Sequence, residues 1–362
     1  MHQKNIITAK KAFQEALKSD IIETKNQCCG NVYSKAVSNI IFQQEDSMKI
    51  VVLDAVTLGN DISWEAMRAF GDLTLYPVSV PEEIRARIAD ADVVVTNKCR
   101  LNEKTLAGCG KLRLILEAAT GFDNIDINYC REKGIAVANV KGYSTLSVVQ
   151  LTLSTALALC MHLGEYRAYC ADGRYSASGL FTQVEPVWHE LAGKTWGIIG
   201  AGTIGNKVAA VASALGCEIL TWQRRPSELY PTVPLEELLS RSDVISLHVP
   251  LNDGTRGLIN AERLALMKPG AILINAARGP VVNEEAVAAA ILEGRLGGFG
   301  SDVFSREPYP ADHPFCAVQA LPNVIFTPHT AWGSYEARVR LMAELNKNLD
   351  AFLKGEARNR VV

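Results

Sequence analysis

The feature that most constrains the fold of this chain is a glycine-rich turn, Gly200-Ala-Gly-Thr-Ile-Gly205, set between a short apolar run and a helix-like one. Ahead of it, Thr195-Trp-Gly-Ile-Ile199 has the character of a buried strand. Behind it, Asn206-Lys-Val-Ala-Ala-Val-Ala-Ser-Ala-Leu215 reads as a helix ended by Gly216, followed by a second strand, Cys217-Glu-Ile-Leu-Thr-Trp222. Three glycines at this spacing are weak evidence alone, but in a strand-turn-helix-strand frame each has a task. Gly200 permits the tight turn, Gly202 lets the backbone approach a pyrophosphate, and Gly205 lets the helix pack closely on the sheet. The helix N-terminus, with Thr203 and Ile204 in its first turn, attracts phosphate charge. The expectation is a dinucleotide-binding α/β unit.

Three further phrases follow the turn: Ile274-Asn-Ala-Ala-Arg278-Gly279, Asp302-Val-Phe-Ser-Arg-Glu307-Pro308 and Thr327-Pro-His329-Thr-Ala-Trp332. Each follows or overlaps an apolar run read as a strand, namely Ala271-Ile-Leu-Ile274, Gly300-Ser-Asp-Val-Phe304 and Asn323-Val-Ile-Phe-Thr327. Ligands of open α/β sheets bind beyond the carboxyl ends of the strands, so a cation, a carboxylate and an imidazole are expected at one site. Reduction of a 2-oxo acid needs that set. Hydride arriving at the carbonyl carbon leaves negative charge on oxygen, which must be protonated as it forms. His329 is the natural acid, since an unperturbed imidazole has a pKa of about 6.5, and a neighbouring carboxylate such as Glu307 raises the protonated fraction at pH 7. Arg278 is assigned to the substrate because its planar fork grips a carboxylate with two parallel hydrogen bonds and stabilises a developing alkoxide.

Where an NAD-binding unit places an acid for the ribose hydroxyls, about 20 residues beyond the turn, this chain reads Trp222-Gln-Arg-Arg-Pro226. Without a carboxylate there, Arg224 or Arg225 is free to pair with the 2′-phosphate of NADP. NADP is therefore the expected cofactor, with NAD the alternative, in which Gln223 serves the ribose.

On these residues the chain resembles the D-isomer-specific 2-hydroxyacid dehydrogenase family from Met48 to the C-terminus. The resemblance implies substrate binding by Arg278, support of the acid by Glu307, and acid/base chemistry at His329. Ser246-Leu-His-Val-Pro-Leu251 and Asn252-Asp-Gly-Thr-Arg-Gly-Leu-Ile259 resemble the nicotinamide-side loop, which assigns His248, Pro250 and Thr255 to the cofactor, with Ala276, Ala277 and Asp302. Ala118-Ala-Thr-Gly-Phe-Asp-Asn-Ile-Asp126 resembles the substrate loop, where backbone N–H groups of Thr120, Gly121 and Phe122 would face the substrate carboxylate. Within the family, Lys49-Ile-Val-Val-Leu-Asp54, Ser63-Trp64 and Ala331-Trp332 look most like the glycerate dehydrogenase or hydroxypyruvate reductase branch, which puts Trp332 beside the substrate. Two departures are Ser301, where an apolar residue is usual, and the missing acid near Gln223. Rival readings are D-lactate-type and phosphoglycerate-type substrates, and a dinucleotide-sensing, corepressor-like binding protein of the same fold.

A chain of 362 residues suits two domains. The resemblance implies two doubly wound parallel-sheet α/β domains with a cleft between them: a discontinuous, flavodoxin-like substrate domain over 48–146 and 330–362, and a Rossmann dinucleotide-binding domain over 147–329. Alternating strand and helix signals from Lys49 to Asn139 agree with a parallel sheet, and a helix over Ser144 to His162 is expected between the domains, buried on all sides because it carries no charged residue. In the family that helix belongs to a dimer interface, so a homodimer is expected. Residues 1–47 match no part of the family and are read as an N-terminal extension that is loosely ordered or precedes the true start at Met48.

Asn97-Lys98 reads either as a wall of the substrate cleft or as a polar loop, and His313 as a surface residue of a proline-containing loop. A net charge of −2 and the lack of a basic stripe exclude an electrostatic case for nucleic acid. Nine scattered cysteines without a Cys-x-x-Cys pair point to a reducing cytoplasm and to no metal site. No membrane span is expected.

Overall fold

The computed structural model describes residues 47–362, and the expectations for the N-terminal extension lie outside them. Two all-parallel sheets organise these residues. The first joins β1 (Lys49–Val52), β2 (Asp72–Leu75), β3 (Val93–Thr96), β4 (Leu114–Glu117) and β5 (Ala136–Ala138) in the order β2-β1-β3-β4-β5. The second joins β6 (Thr195–Ile199), β7 (Glu218–Trp222), β8 (Val244–Leu247), β9 (Ala271–Asn275), β10 (Leu296–Ser301) and β11 (Val324–Phe326) in the order β11-β10-β9-β8-β6-β7. The central strands β3, β4, β8 and β9 are buried throughout, as strands covered on both faces must be. Each sheet reverses its winding once, between β1 and β3 and between β6 and β8, and such switch points open crevices at the strands' carboxyl ends.

The helix Tyr335–Leu353 returns the chain to the first sheet. Its N-cap Ser334 accepts a hydrogen bond from the Ala337 N–H, and Ala337, Leu341, Met342, Leu345 and Leu349 pack with Ile50, Val95 and Leu116. This spacing of three and four residues is a single apolar stripe. The helix Thr145–Cys160 lies against the second sheet and the helix Thr203–Ala214, burying Val149, Ala156 and Leu159. It is not buried on all sides as expected: Leu146 is 60% exposed, and Gln150 and Ser154 extend the open stripe. Six of its sixteen residues carry uncharged hydroxyl or amide side chains, so its lack of charge does not mean an apolar surface all round. The chain then turns by 65° at His162 into the helix Leu163–Ala171. Among the described residues, no single helix is long and apolar enough to cross a membrane; this bent pair alone meets the length and composition together.

β10 starts earlier than the sequence suggests and stops at Ser301, so Asp302 to Phe304 belong to the loop that follows. Its run Leu296-Gly-Gly-Phe-Gly-Ser301 looks like a loop because of its glycines. They are there because other chain segments press on the strand: a Cβ on Gly300 would stand 2.2 Å from Thr155 Cγ2, and one on Gly297 2.2 Å from the Gly270 carbonyl oxygen. Ser301, the polar departure, is buried with its hydroxyl donating to the Val303 carbonyl at 2.7 Å.

Two sheet edges are hemmed by short segments. Val137 of β5 donates to the Val362 carbonyl at 3.1 Å and accepts from the Val361 N–H at 2.8 Å. Thr221 of β7 donates to the Pro231 carbonyl at 2.8 Å and accepts from the Val233 N–H at 3.0 Å.

Candidate active site

The carboxyl ends of both sheets open on one cleft of about 790 Å³. From the first sheet come Asn97 and Lys98 after β3 and the loop Ala119 to Asn124 after β4. From the second come His248 to Leu251 after β8, Ala276 to Pro280 after β9, Asp302 to Glu307 after β10, and His329 to Trp332 past β11.

Arg278, Glu307 and His329 meet here from three different strand ends. His329 Nδ1 lies 2.5 Å from Glu307 Oε2, with both side chains partly exposed to the cleft. His329 holds a left-handed backbone, φ 53°, unusual for a residue with a Cβ. Asp302 holds that loop: its buried carboxylate accepts from the Thr327 hydroxyl at 2.5 Å and from the N–H groups of Thr330 and Ala331 at 2.8 and 2.9 Å. Burial pushes the Asp302 carboxyl up, against these hydrogen bonds. Although expected against the cofactor, Asp302 thus has both oxygens engaged by the loop that carries His329. Burial also pushes Glu307 up, but the hydrogen bond and charge of His329, the Phe304 N–H and Lys98 outweigh it and hold the carboxyl below the usual glutamate value.

Arg278 follows β9 at a turn fixed by Asn275, whose side chain accepts from the Ala277 N–H at 3.1 Å and donates to the Arg278 carbonyl at 2.9 Å. Its guanidinium donates to the Ala277 carbonyl at 2.8 Å and lies 3.5 Å from Asp123 of the other domain. A Cβ on Gly121 would come within 2.0 Å of Arg278 Nη2, so the bare glycine makes the room that the guanidinium fills. The N–H groups of Thr120, Gly121 and Phe122 donate to no protein acceptor among the described residues, while the Thr120 hydroxyl is spent on the Val140 carbonyl at 2.8 Å. Three free amides and a guanidinium at one wall have the chemistry to hold a carboxylate.

The dinucleotide turn fits a nucleotide on the chain's own geometry. Gly200 takes φ 98°, and a Cβ there would stand 2.8 Å from the His248 backbone; a Cβ on Gly205 would meet the Gly200 carbonyl oxygen at 2.2 Å. Gly202 faces open space, with no heavy atom within 4 Å of where its Cβ would be. The helix Thr203–Ala214 begins there, and Ile204 lines the cleft. His248 is pushed down to about 4 by burial, so it is neutral near pH 7; its Nε2 is 2.9 Å from Ser246 Oγ and its Nδ1 has no partner. Gln223 lies just past β7, half-buried, while Arg224 and Arg225 are exposed and make no ion pair among the described residues. Thr255 departs from expectation: it is buried, with its hydroxyl donating to the Pro250 carbonyl at 2.6 Å inside its own turn, and it does not line the cleft.

Sequence reasoning missed several residues that hold the site. Asp54, at the end of the first strand's apolar run, accepts from the N–H groups of Asn97, Lys98 and Cys99, at 2.6 Å for Lys98, and so shapes the cleft wall. A carboxylate closing an apolar strand was the available signal. His313 is buried, not on the surface as expected. It pairs with Glu284 at 2.9 Å within a ring of aromatics that includes Phe304 and Phe315. The other Glu284 oxygen accepts from the Ser305 N–H at 2.8 Å, and the neighbouring Phe304 N–H donates to Glu307 at 2.8 Å. A second carboxylate–imidazole pair thus fixes the loop that presents Glu307.

Comparison with known proteins agrees with this geometry. Residues 153–331 match the model of the D-isomer specific 2-hydroxyacid dehydrogenase NAD binding domain. A hydroxypyruvate reductase of Blautia hydrogenotrophica is 38% identical over 321 residues, covering 86% of this chain and 99% of that protein. The chain belongs to the D-isomer-specific 2-hydroxyacid dehydrogenase family. A glycerate dehydrogenase of Methylorubrum extorquens is 39% identical over 279 residues, covering 77% of this chain and 88% of the relative. Among solved structures of the same fold, an acyclic imino acid reductase (Bsp5) in complex with NADPH and D-Arg superposes with a TM-score of 0.78 at 29% identity, covering 87% of this chain and 100% of the other. As a 2-hydroxyacid dehydrogenase, the chain is an oxidoreductase acting on a CH–OH group with a nicotinamide cofactor.

Proposed function

We propose that this dehydrogenase reduces hydroxypyruvate or glyoxylate to the D-2-hydroxy acid, or runs the reverse oxidation. The observation that carries the reading is the His329–Glu307 pair, 2.5 Å apart, in a cleft that also holds Arg278 and the free amides of Thr120 to Phe122. The substrate carboxylate takes Arg278 and those amides. With Nδ1 committed to Glu307, Nε2 of His329 is left to exchange a proton with the substrate oxygen, and positioned acid catalysis of this kind contributes about 10²–10⁴-fold in rate. Bound NAD(P)H supplies the hydride. Asn97, Lys98 and Trp332 complete the substrate end; Ile204, His248, Pro250, Ala276 and Ala277 face the cofactor. The relatives above act on hydroxypyruvate and glycerate by name, which favours small C2 and C3 acids.

For the cofactor we favour NADPH, since Arg224 and Arg225 lie free past β7 with no acid at the carboxyl end of that strand. Domain limits of 48–146 with 330–362, and 147–329, are supported by the two sheets and the return of the last helix. A homodimer is favoured by Leu180, Phe181, Val184 and Val187, apolar and 58 to 96% exposed, and by the open groove along the helix Thr145–Cys160. The cytoplasm suits cysteines such as Cys99, Cys109 and Cys130, buried singly as thiols.

Initial rates with hydroxypyruvate, glyoxylate, pyruvate and 3-phosphohydroxypyruvate, each with NADPH and NADH, test the proposal. Fastest turnover of hydroxypyruvate or glyoxylate is expected; none with any acid, while a cofactor still binds, would overturn it in favour of a dinucleotide sensor.

A further inference from the structure

Building on that reading of the site, we propose that Lys98 selects substrates by the group on C3, and that the group it selects is a hydroxyl.

Lys98 occupies the cleft wall just past β3, its backbone N–H fixed by Asp54 at 2.6 Å. Its ammonium lies 5.9 Å from the centre of the Trp332 ring and makes no hydrogen bond or ion pair among the described residues. Glu117, the last residue of β4, is wholly buried; Asn124 donates to one of its oxygens at 3.1 Å and the other has no partner. A cation without a partner, and a buried carboxyl group with an idle oxygen, are both costly to keep unless something completes them.

A 2-oxo acid leaves one direction open for C3. Its carboxylate takes Arg278 and the amides of Thr120 to Phe122, and its C2 oxygen takes His329. The rest of the first domain's wall includes Asn97, Lys98 and Trp332, with Tyr143 edge-on to the Trp332 ring. The charges there decide which substituent fits. Burial pushes the Lys98 ammonium down, while Glu307 and Asp54 act on it as negative charges against Arg278 as the opposing positive one, and the substrate's own carboxylate takes up Arg278; Glu117, whose carboxyl burial pushes well above its ordinary value, adds little to them. A second carboxylate would add to that negative surplus. An alkyl group would press against an ammonium that it cannot solvate. A hydroxyl accepts from Lys98 without adding charge, and the Trp332 ring limits the length of what carries it.

The test compares the full chain with its Lys98→Met and Lys98→Arg variants, measuring kcat/KM for hydroxypyruvate, pyruvate, glyoxylate and oxaloacetate with the preferred cofactor. Hydroxypyruvate and pyruvate differ only by the C3 hydroxyl, and a site built for a hydroxyl rejects its absence strongly. In Lys98→Met the ratio of hydroxypyruvate to pyruvate should fall at least about 10-fold, mostly through hydroxypyruvate, with partial recovery in Lys98→Arg. An unchanged ratio, or equal losses on all four acids, overturns the proposal; so does a wild type that prefers oxaloacetate and loses that preference in Lys98→Met, which would assign Lys98 to a second carboxylate. Failure of the wild type on every acid would instead remove the functional reading beneath it.

Discussion

At the scale of single residues, the chemistry depends on how few atoms hold each reacting group. His329 has one ring nitrogen on Glu307 and, in the proposed reaction, the other on the substrate. Changing it to Gln should lower kcat by at least about 10²-fold while cofactor binding, followed by nicotinamide fluorescence, stays within a few-fold. Gly121 offers a subtler test. A methyl there meets only the end of the flexible Arg278 side chain, so Gly121→Ala should melt near the wild-type temperature yet raise KM for the oxo acid, because the guanidinium must leave its place. If KM is unchanged, the grip of Arg278 on the carboxylate is not as drawn here. Two titrating groups give the pH dependence a sign. His248 is depressed to about 4 when folded, so the folded chain resists a proton that the unfolded chain accepts. Stability should be full above about pH 6.5 and fall as pH drops from there towards 4. Glu307, held below its ordinary value, adds a loss in the same direction at lower pH. Urea midpoints between pH 8 and pH 4 would show the decline, and a flat profile would contradict it.

At the scale of elements, strand ends and loops share the work unevenly. The Glu284–His313 pair acts through the loop that bears Glu307. Glu284→Ala would leave a buried imidazole and the Ser305 N–H without their acceptor, each costing about 1–3 kcal/mol. A lower melting temperature is expected, together with a fall in kcat at little change in KM, and an unchanged kcat would make the pair merely structural. This pair also marks the limit of what the sequence reveals. Arg278, Glu307 and His329 were legible because each sits in a phrase just past a strand, and the glycine turn was legible because its neighbours are plainly strand and helix. Glu284 and His313 are 29 positions apart, and only the fold brings them together. β10 was misjudged because glycines that serve close packing look, in one dimension, like glycines that serve a turn. The helix Thr145–Cys160 was misjudged because lack of charge does not say which face is covered.

At the scale of the whole molecule, the site belongs to neither sheet alone. Arg278 comes from one domain and its neighbours Gly121 and Asp123 from the other, so relative movement of the two domains would change the grip on substrate directly. The nucleotide end is further along the second sheet, where Arg224→Ala with Arg225→Ala should lower the NADPH to NADH ratio of kcat/KM by at least about 10-fold; an unmoved ratio would return the ribose to Gln223. The exposed run around Phe181 predicts a dimer by light scattering, and Phe181→Glu should shift the mass towards that of one chain.

The hemmed edges of β5 and β7 bear on how the protein behaves when crowded. An open strand edge is a template for another chain, and here the backbone groups that would recruit one are already satisfied by residues 360–362 on β5 and 231–233 on β7. Copies that meet at these edges must then recognise one another through side chains, which favours assemblies of fixed size over growing fibres. Removing residues 360–362 would bare β5, and fibrous aggregation on storage at high concentration is where that loss should first appear.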